Sequence, residues 1–228
     1  MKTTRTLALL ALVGDAVLSA AAFHLLPERV PIHWDISGHA NRYGSKLQLV
    51  LFGPLALAGL WAVMLVLSRI DPRRAERAPG VTPDAPASEA DGSYWTFIHL
   101  VVVTLALLHA GILLAAAGIL NGPVRFMAVG LALLLMLPGN FIGRLRPNWF
   151  VGIRTPWTLA SDEVWRRTHR LAAILMVGGG LVLLPLALLL PAPRALTAAV
   201  VITLLATVGP AVWSYFAWRT LRQARAAP

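Results

Sequence analysis

The chain has 228 residues, 57% of them hydrophobic and only 13% charged, and its mean hydropathy is +0.70; this balance excludes an ordinary soluble domain. With no cysteine, it excludes disulfides and thiolate metal sites as well. The net charge of +10 is explained by membrane topology and contact with anionic headgroups, and the short loops hold no nucleic-acid-binding module, so no direct nucleic-acid binding is expected.

Six apolar runs, at 7–26, 47–68, 97–120, 124–142, 171–190 and 195–218, are each near the roughly 20 helical residues that a hydrocarbon core requires. Lipid offers backbone groups no partner but one another, so each run is read as a helix. The expected fold class is all-α: a polytopic membrane protein with six transmembrane helices. The first run follows Lys2 and Arg5 and contains "LSAAA", features shared with a secretory signal. Its length, and the lack of a polar mature domain after it, favour a retained span.

Orientation follows from counting Lys and Arg. With both termini inside, Lys2, Arg5, Arg69, Arg73, Arg74, Arg77, Arg144, Arg146, Arg154, Arg166, Arg167, Arg170, Arg219, Arg222 and Arg225 face the cytoplasm. Arg29, Arg42, Lys46, Arg125 and Arg194 remain outside, fifteen against five of the twenty. The expectation is an N-in/C-in protein of the bacterial cytoplasmic (inner) membrane.

Three segments are expected: a two-helix module over 1–70 with a structured extracellular loop at 27–46, a disordered cytoplasmic linker over 71–93, and a four-helix module over 94–228 with a cytoplasmic loop at 143–170. The linker reading rests on its Pro, Ala and small polar residues. "NGPV" and "PAPR" read as tight turns.

In span one, Asp15 lies near the middle, as does His109 in span three. Buried ionisable groups in a membrane face the bundle interior and often mark function. One reading pairs Asp15 with His109; the other leaves a protonated Asp15 bonded to a nearby backbone or hydroxyl group. The outer loop, "LPERVPIHWDISGHANRYGSK", is extended around Pro27 and Pro31, with turn positions at Gly38 and Gly44. His33 and Asp35 project to one side of an extended segment. With His39 they have the ligand types that zinc accepts, although the spacing matches no catalytic zinc signature, and the alternative is a surface loop bonded within itself.

The inner loop, "GNFIGRLRPNWFVGIRTPWTLASDEVWRRTHR", carries rigid turn chemistry: Asn148 and Gly152 suit turns, and Thr155 is extended ahead of Pro156. Arg154 supplies a planar donor fork and Trp157 a large ring at a rigid corner. Ser161 is the predicted N-cap of a new helix with Asp162 and Glu163 in its first turn. This helix is amphipathic, with Trp165, His169 and Ala172 on one side and Arg166, Arg167 and Arg170 on the other, and it is expected to lie partly along the membrane interface before entering span five. Either the loop caps the bundle, or Asn148, Gly152, Arg154, Thr155, Pro156, Trp157, Trp165 and His169 form a recognition surface of the kind that aromatic and Arg hot spots make. "GGG" at 178–180 points to close helix packing.

The inner-loop motif, with its GIRTPWTL element followed by Trp-x-x-Thr-His, resembles the signature of the SdpI family of bacterial membrane proteins. The outer loop, with Leu-Pro, Pro-x-His-Trp, Gly and a terminal Lys, is similar to the N-terminal module of unknown function that accompanies it. Ala40-Asn41 stands where the family pattern has Pro-Asp. The resemblance implies protection of the producing cell from a secreted antimicrobial peptide, and signalling by recruitment of a soluble helix-turn-helix repressor. It implies that 32–46, including His33, Trp34, Asp35, Gly38 and Lys46, meets the peptide, while 144–170 faces the repressor. The lipid bilayer is the third expected partner; no cofactor and no catalytic residue are expected. The alternatives are a metal-assisted membrane enzyme using His33, Asp35 and His39, and a small proton-coupled transporter using Asp15 and His109.

Overall fold

The computed structural model describes residues 2–35, 37, 39–72, 89–120 and 123–226. Its elements are α1 (Lys2–Ala22), β1 (Arg29–Trp34), β2 (Ala40–Ser45), α2 (Lys46–Ile70), α3 (Glu89–Ala116), α4 (Pro123–Ile142), α5 (Pro156–Ala160), α6 (Asp162–Leu189) and α7 (Ala192–Ala226). All but α5 among these helices are long and apolar enough to cross a membrane, six in total.

The helices extend beyond the apolar runs at several ends, because helix formation does not stop where hydrophobicity does. α3 begins at Glu89, so the last five residues of the expected linker are helical. Asp71, at the other end of that linker, is 3% exposed. Residues 73–88 lie outside the described residues. α1 stops at Ala22 although Phe23, Leu25 and Leu26 are apolar, since Pro27 excludes the helical region for the residue before it.

The fold departs from a purely helical one at the expected outer loop. β1 and β2 pair antiparallel, with Val30 opposite Gly44 and Pro31 opposite Tyr43, and the register shifts on either side of His33. Pro31 has no N–H to donate, and the register irregularity begins immediately after it. Ser45 then caps α2: its side chain accepts from the Gln48 N–H while the Gln48 side chain accepts from the Ser45 N–H, a reciprocal capping box that fixes the strand-to-helix junction.

Two cores hold the bundle. One lies under the hairpin, where Val30 is fully buried among Ala22, Leu26, Leu49, Val50 and Leu113. The larger one joins α4, α6 and α7 through Ala128, Ala132, Leu135, Met176, Leu183, Ala199 and Ala206. Between α4 and α6 the backbones approach closely: a Cβ added at Gly180 would come within 2.7 Å of the Ala132 carbonyl, and one at Gly139 within 2.8 Å of the Met176 Cβ. Lipid gives helices no hydrophobic reason to associate, so contact by small residues supplies the packing energy instead. Of the three consecutive glycines, Gly180 packs on α4 and Gly179 lies against Ile202 of α7, while nothing lies within 4 Å of a Cβ at Gly178.

Candidate functional site

At the end of the bundle opposite the hairpin, residues 143–161 fold into a knot built on two buried side chains. Asn148 is 3% exposed and bonds four times: its Nδ2 donates to the carbonyls of Arg146 and Val151, at 3.0 and 2.9 Å, and its Oδ1 accepts the N–H groups of Phe150 and Val151, at 2.9 and 2.6 Å. An amide can serve two donors and two acceptors at once, which no other side chain of that size does. His169, from α6, is fully buried. Its Nδ1 lies 2.9 Å from the Trp165 carbonyl and its Nε2 accepts the Ile153 N–H at 3.0 Å. A carbonyl only accepts, so the ring is the neutral tautomer with its hydrogen on Nδ1.

Trp165 stacks on His169 with ring centroids 4.0 Å apart and donates its indole N–H to the Leu145 carbonyl at 2.8 Å. Gly152 has φ +112°, and a Cβ there would lie 2.3 Å from His169 Nε2. Only glycine both adopts that backbone and leaves room for the imidazole.

Thr155 and Thr158 close a second capping box at the start of α5, with Pro156 in its first turn. Pro156 suits that place because its missing N–H has no helical acceptor there. Trp157 donates its indole N–H to Ser214 Oγ, and Thr155 Oγ1 lies 3.1 Å from the same hydroxyl. The Trp157 ring also meets Tyr215 edge-on at 5.2 Å. These contacts fasten α5 to α7.

The segment expected to lie partly along the interface before entering span five is the beginning of α6, which runs unbroken from Asp162 to Leu189. Its faces divide sharply: Trp165, His169 and Ala172 are buried, while Arg166, Arg167 and Arg170 are exposed. Glu163 pairs with both Arg166 and Arg167, which are three and four residues along the helix. Of the residues expected to form the recognition surface, Asn148, Trp165 and His169 are internal supports. Arg154 and Pro156 are exposed, and Thr155 and Trp157 are half-buried. Trp149, 43% exposed, joins them at the surface. Arg154 donates to its carbonyl, while its N–H donates to Asp71 Oδ2 at 3.1 Å. Asp71 thus ties the end of α2 to the knot.

At the hairpin end, the side chains of His33, Asp35 and His39 do not converge. His33 Nδ1 is 2.6 Å from Asn41 Oδ1, and Asp35 Oδ1 accepts the N–H groups of Ser37 and His39 at 2.8 and 3.0 Å, an Asx-type turn. No group of three or more metal-ligating side chains exists among the described residues. Trp34 is half-buried, Lys46 pairs with Glu28 at 2.8 Å and lies over the Phe23 ring, and Gly38 falls outside the described residues.

Between the two ends the structure brings Asp15 and His109 together. Oδ1 and Nδ1 are 2.8 Å apart, and His109 Nε2 donates to the Leu49 carbonyl at 3.0 Å, so one imidazole joins α1, α2 and α3. A Cβ at Gly53 would lie 2.1 Å from that ring, which identifies glycine there as the space for it.

Sequence reasoning passed over Asp71, Gly53, Ser214 and Leu145. Asp71 had a signal, as an acid directly after a span and before a proline; the others are recognisable only from contacts remote in sequence.

Comparison with known proteins agrees with this arrangement. The SdpI/YfhL protein family pattern matches residues 144–214, beginning at the knot and ending at Ser214, which anchors it. A domain of unknown function, DUF1648, matches residues 10–58, a stretch that contains Asp15, the hairpin and Gly53. The chain is 23% identical over 213 residues to the Immunity protein SdpI of Bacillus subtilis (strain 168), covering 91% of this chain and 92% of that protein. No solved structure matches. Six membrane-length helices, a DUF1648 segment and an SdpI/YfhL segment follow one another along the chain, which is thus a multi-pass membrane protein similar to the SdpI/YfhL family over residues 144–214.

Proposed function

We propose that the chain is a membrane immunity protein without a reaction of its own, which meets a secreted antimicrobial peptide at the hairpin and presents the knot to a soluble repressor inside. The observation that carries the reading is the similarity to the Immunity protein SdpI along nearly the full length of both chains. The geometry supports it: the hairpin and the knot occupy opposite ends of one bundle, and α2 runs from the hairpin to the Asp71–Trp149 bond. The excess of Lys and Arg at the knot end supports placing that end in the cytoplasm of a bacterial inner membrane.

Signalling in this scheme is a coupling between two sites, so ligand at the hairpin alters the knot's affinity for its partner and the partner alters the hairpin's in return. Arg154 and Trp149, with Arg144, Arg146 and Pro156, are exposed on the knot and open to a protein surface. The test is growth of a gene-deletion strain in medium conditioned by its parent. The deletion strain is expected to arrest, the intact chain to restore growth, and Trp34→Ala at equal membrane level to restore it less than a tenth as well in survivor counts. Normal growth of the deletion strain in medium from every growth phase would overturn the immunity reading. Arg154→Ala with unaltered protection and unaltered repressor recruitment would overturn the role of the knot.

A further inference from the structure

The two ends of the bundle leave its polar interior unused. Asp15, His109 and the Leu49 carbonyl lie one to two turns in from the hairpin, and their hydrogens can be counted. A carbonyl only accepts, so His109 Nε2, 3.0 Å from Leu49 O, carries one hydrogen. Nδ1 and Asp15 Oδ1, 2.8 Å apart, hold a second between them, because two lone pairs do not rest at that distance. Imidazolium with carboxylate and imidazole with carboxylic acid both satisfy this count. Each is neutral overall, as a site within lipid requires.

Part of the cluster remains unspent. The Asp15 side chain is 1% exposed, yet its Oδ2 has no hydrogen-bond partner among the described residues, and neither has the Oγ of Ser19. Ser19 is 3% exposed and lies four residues along α1, on the same helix face. A buried carboxyl oxygen without a partner is costly, and a serine hydroxyl can both donate and accept. A water molecule set between them satisfies both.

We propose that Asp15, Ser19 and His109 form a buried proton-binding site, hydrated by one water molecule held between Asp15 Oδ2 and Ser19 Oγ. The ligand is a single proton, bound between Nδ1 and Oδ1 and exchanged with solvent by way of that water. Its loss leaves a nitrogen lone pair facing a carboxylate and a net negative charge in the interior, which loosens α1 from α3. The hairpin core, Ala22, Leu26, Val30, Leu49 and Leu113, stands on the same helices, so the proton is linked to the seating of the hairpin.

Among the described residues of α1, α2 and α3, the nearest other charged side chain is Lys46, one turn before Leu49, and it is already paired with Glu28. On α1 the next titratable group described is Arg5, ten residues away, and on α3 it is His99, also ten away; each is about 15 Å along its helix. α2 carries its charges only near its ends, at Lys46 and Arg69, and the hairpin's Glu28 is paired with Lys46. This inference goes beyond the immunity reading and stands without it.

The experiment uses the full chain in lipid nanodiscs, with the proton as its own probe. Ring nitrogen resonances of His109 and the infrared carboxyl bands of Asp15 are followed between about pH 5 and 9, a window that spans the ordinary range of imidazole. The expected result is that both signals change together, in one step of one proton. In water labelled with heavy oxygen, a shifted O–H stretch is expected that is lost in Ser19→Ala, a change that removes only a hydroxyl and keeps α1 intact. Signals that stay constant across the window overturn the proton site. A water band that survives Ser19→Ala unchanged overturns the hydration.

Discussion

Gly152→Ala is expected to destabilise the protein by about 3 to 5 kcal/mol, combining the strain of a non-glycine residue at positive φ with the loss of a buried hydrogen bond. The backbone there has φ +112°, and the new methyl group would stand 2.3 Å from His169 Nε2 and 3.3 Å from the Trp165 ring. The imidazole must move, and on moving it abandons the Ile153 N–H and its stack with Trp165. Because Trp165 also holds the Leu145 carbonyl, the disturbance reaches both ends of the knot. Unfolding midpoints in detergent check this, with Gly178→Ala as the control. That site is exposed with open space around it, and alanine is favoured over glycine in a helix, so no loss is expected. Equal loss in both variants would mean that the knot is not a point of stability.

The second large effect concerns the interior pair. Asp15→Leu alone, or His109→Leu alone, is expected to cost about 3 to 5 kcal/mol, since each leaves the other polar group buried without its partner. The double variant, Asp15→Leu with His109→Leu, is expected to recover most of that loss, because apolar side chains replace both charges at once. The cycle separates a pair from two independent residues: additive losses would show that Asp15 and His109 do not act together. The Leu49 carbonyl stays exposed to loss of its donor in both His109 variants, so recovery is expected to be large but incomplete.

Several features of this fold were legible before any coordinates. The spans declare themselves because lipid leaves only helices as solutions. The corner at Thr155 and Pro156 was readable because proline restricts its own φ and its predecessor's. The amphipathic division at the start of α6 followed from spacing alone. What spacing could not supply was the partner of each group. His169 meets a backbone N–H sixteen residues away and Asp71 one seventy-eight residues away, and nothing local in a sequence encodes such pairings. The pairing of Asp15 with His109, by contrast, was one of two readings that their depth in spans one and three suggested.

The hairpin was half legible. Its prolines and glycines signalled an extended, turning segment, yet the pairing of β1 with β2 escaped because Pro31 and the shifted register around His33 break the alternation by which strands are recognised. The inner motif was legible as a family signature, but its roles divide in a way that residue type conceals. Asn148, Trp165 and His169 are spent on internal bonds, and Arg154 and Trp149 face outward. A buried, fully bonded asparagine and an exposed one look the same in a string of letters.

The most direct test of a secreted ligand at the hairpin is photocrosslinking in living cells. Tyr43, 51% exposed, and Pro156, at the opposite end, are each replaced by p-benzoylphenylalanine, and the deletion strain carrying either variant is given the peptide fraction of parent-conditioned medium. The account predicts a peptide adduct at position 43 and none at position 156. An adduct at position 156 alone, or at neither position while the cells remain protected, would contradict it.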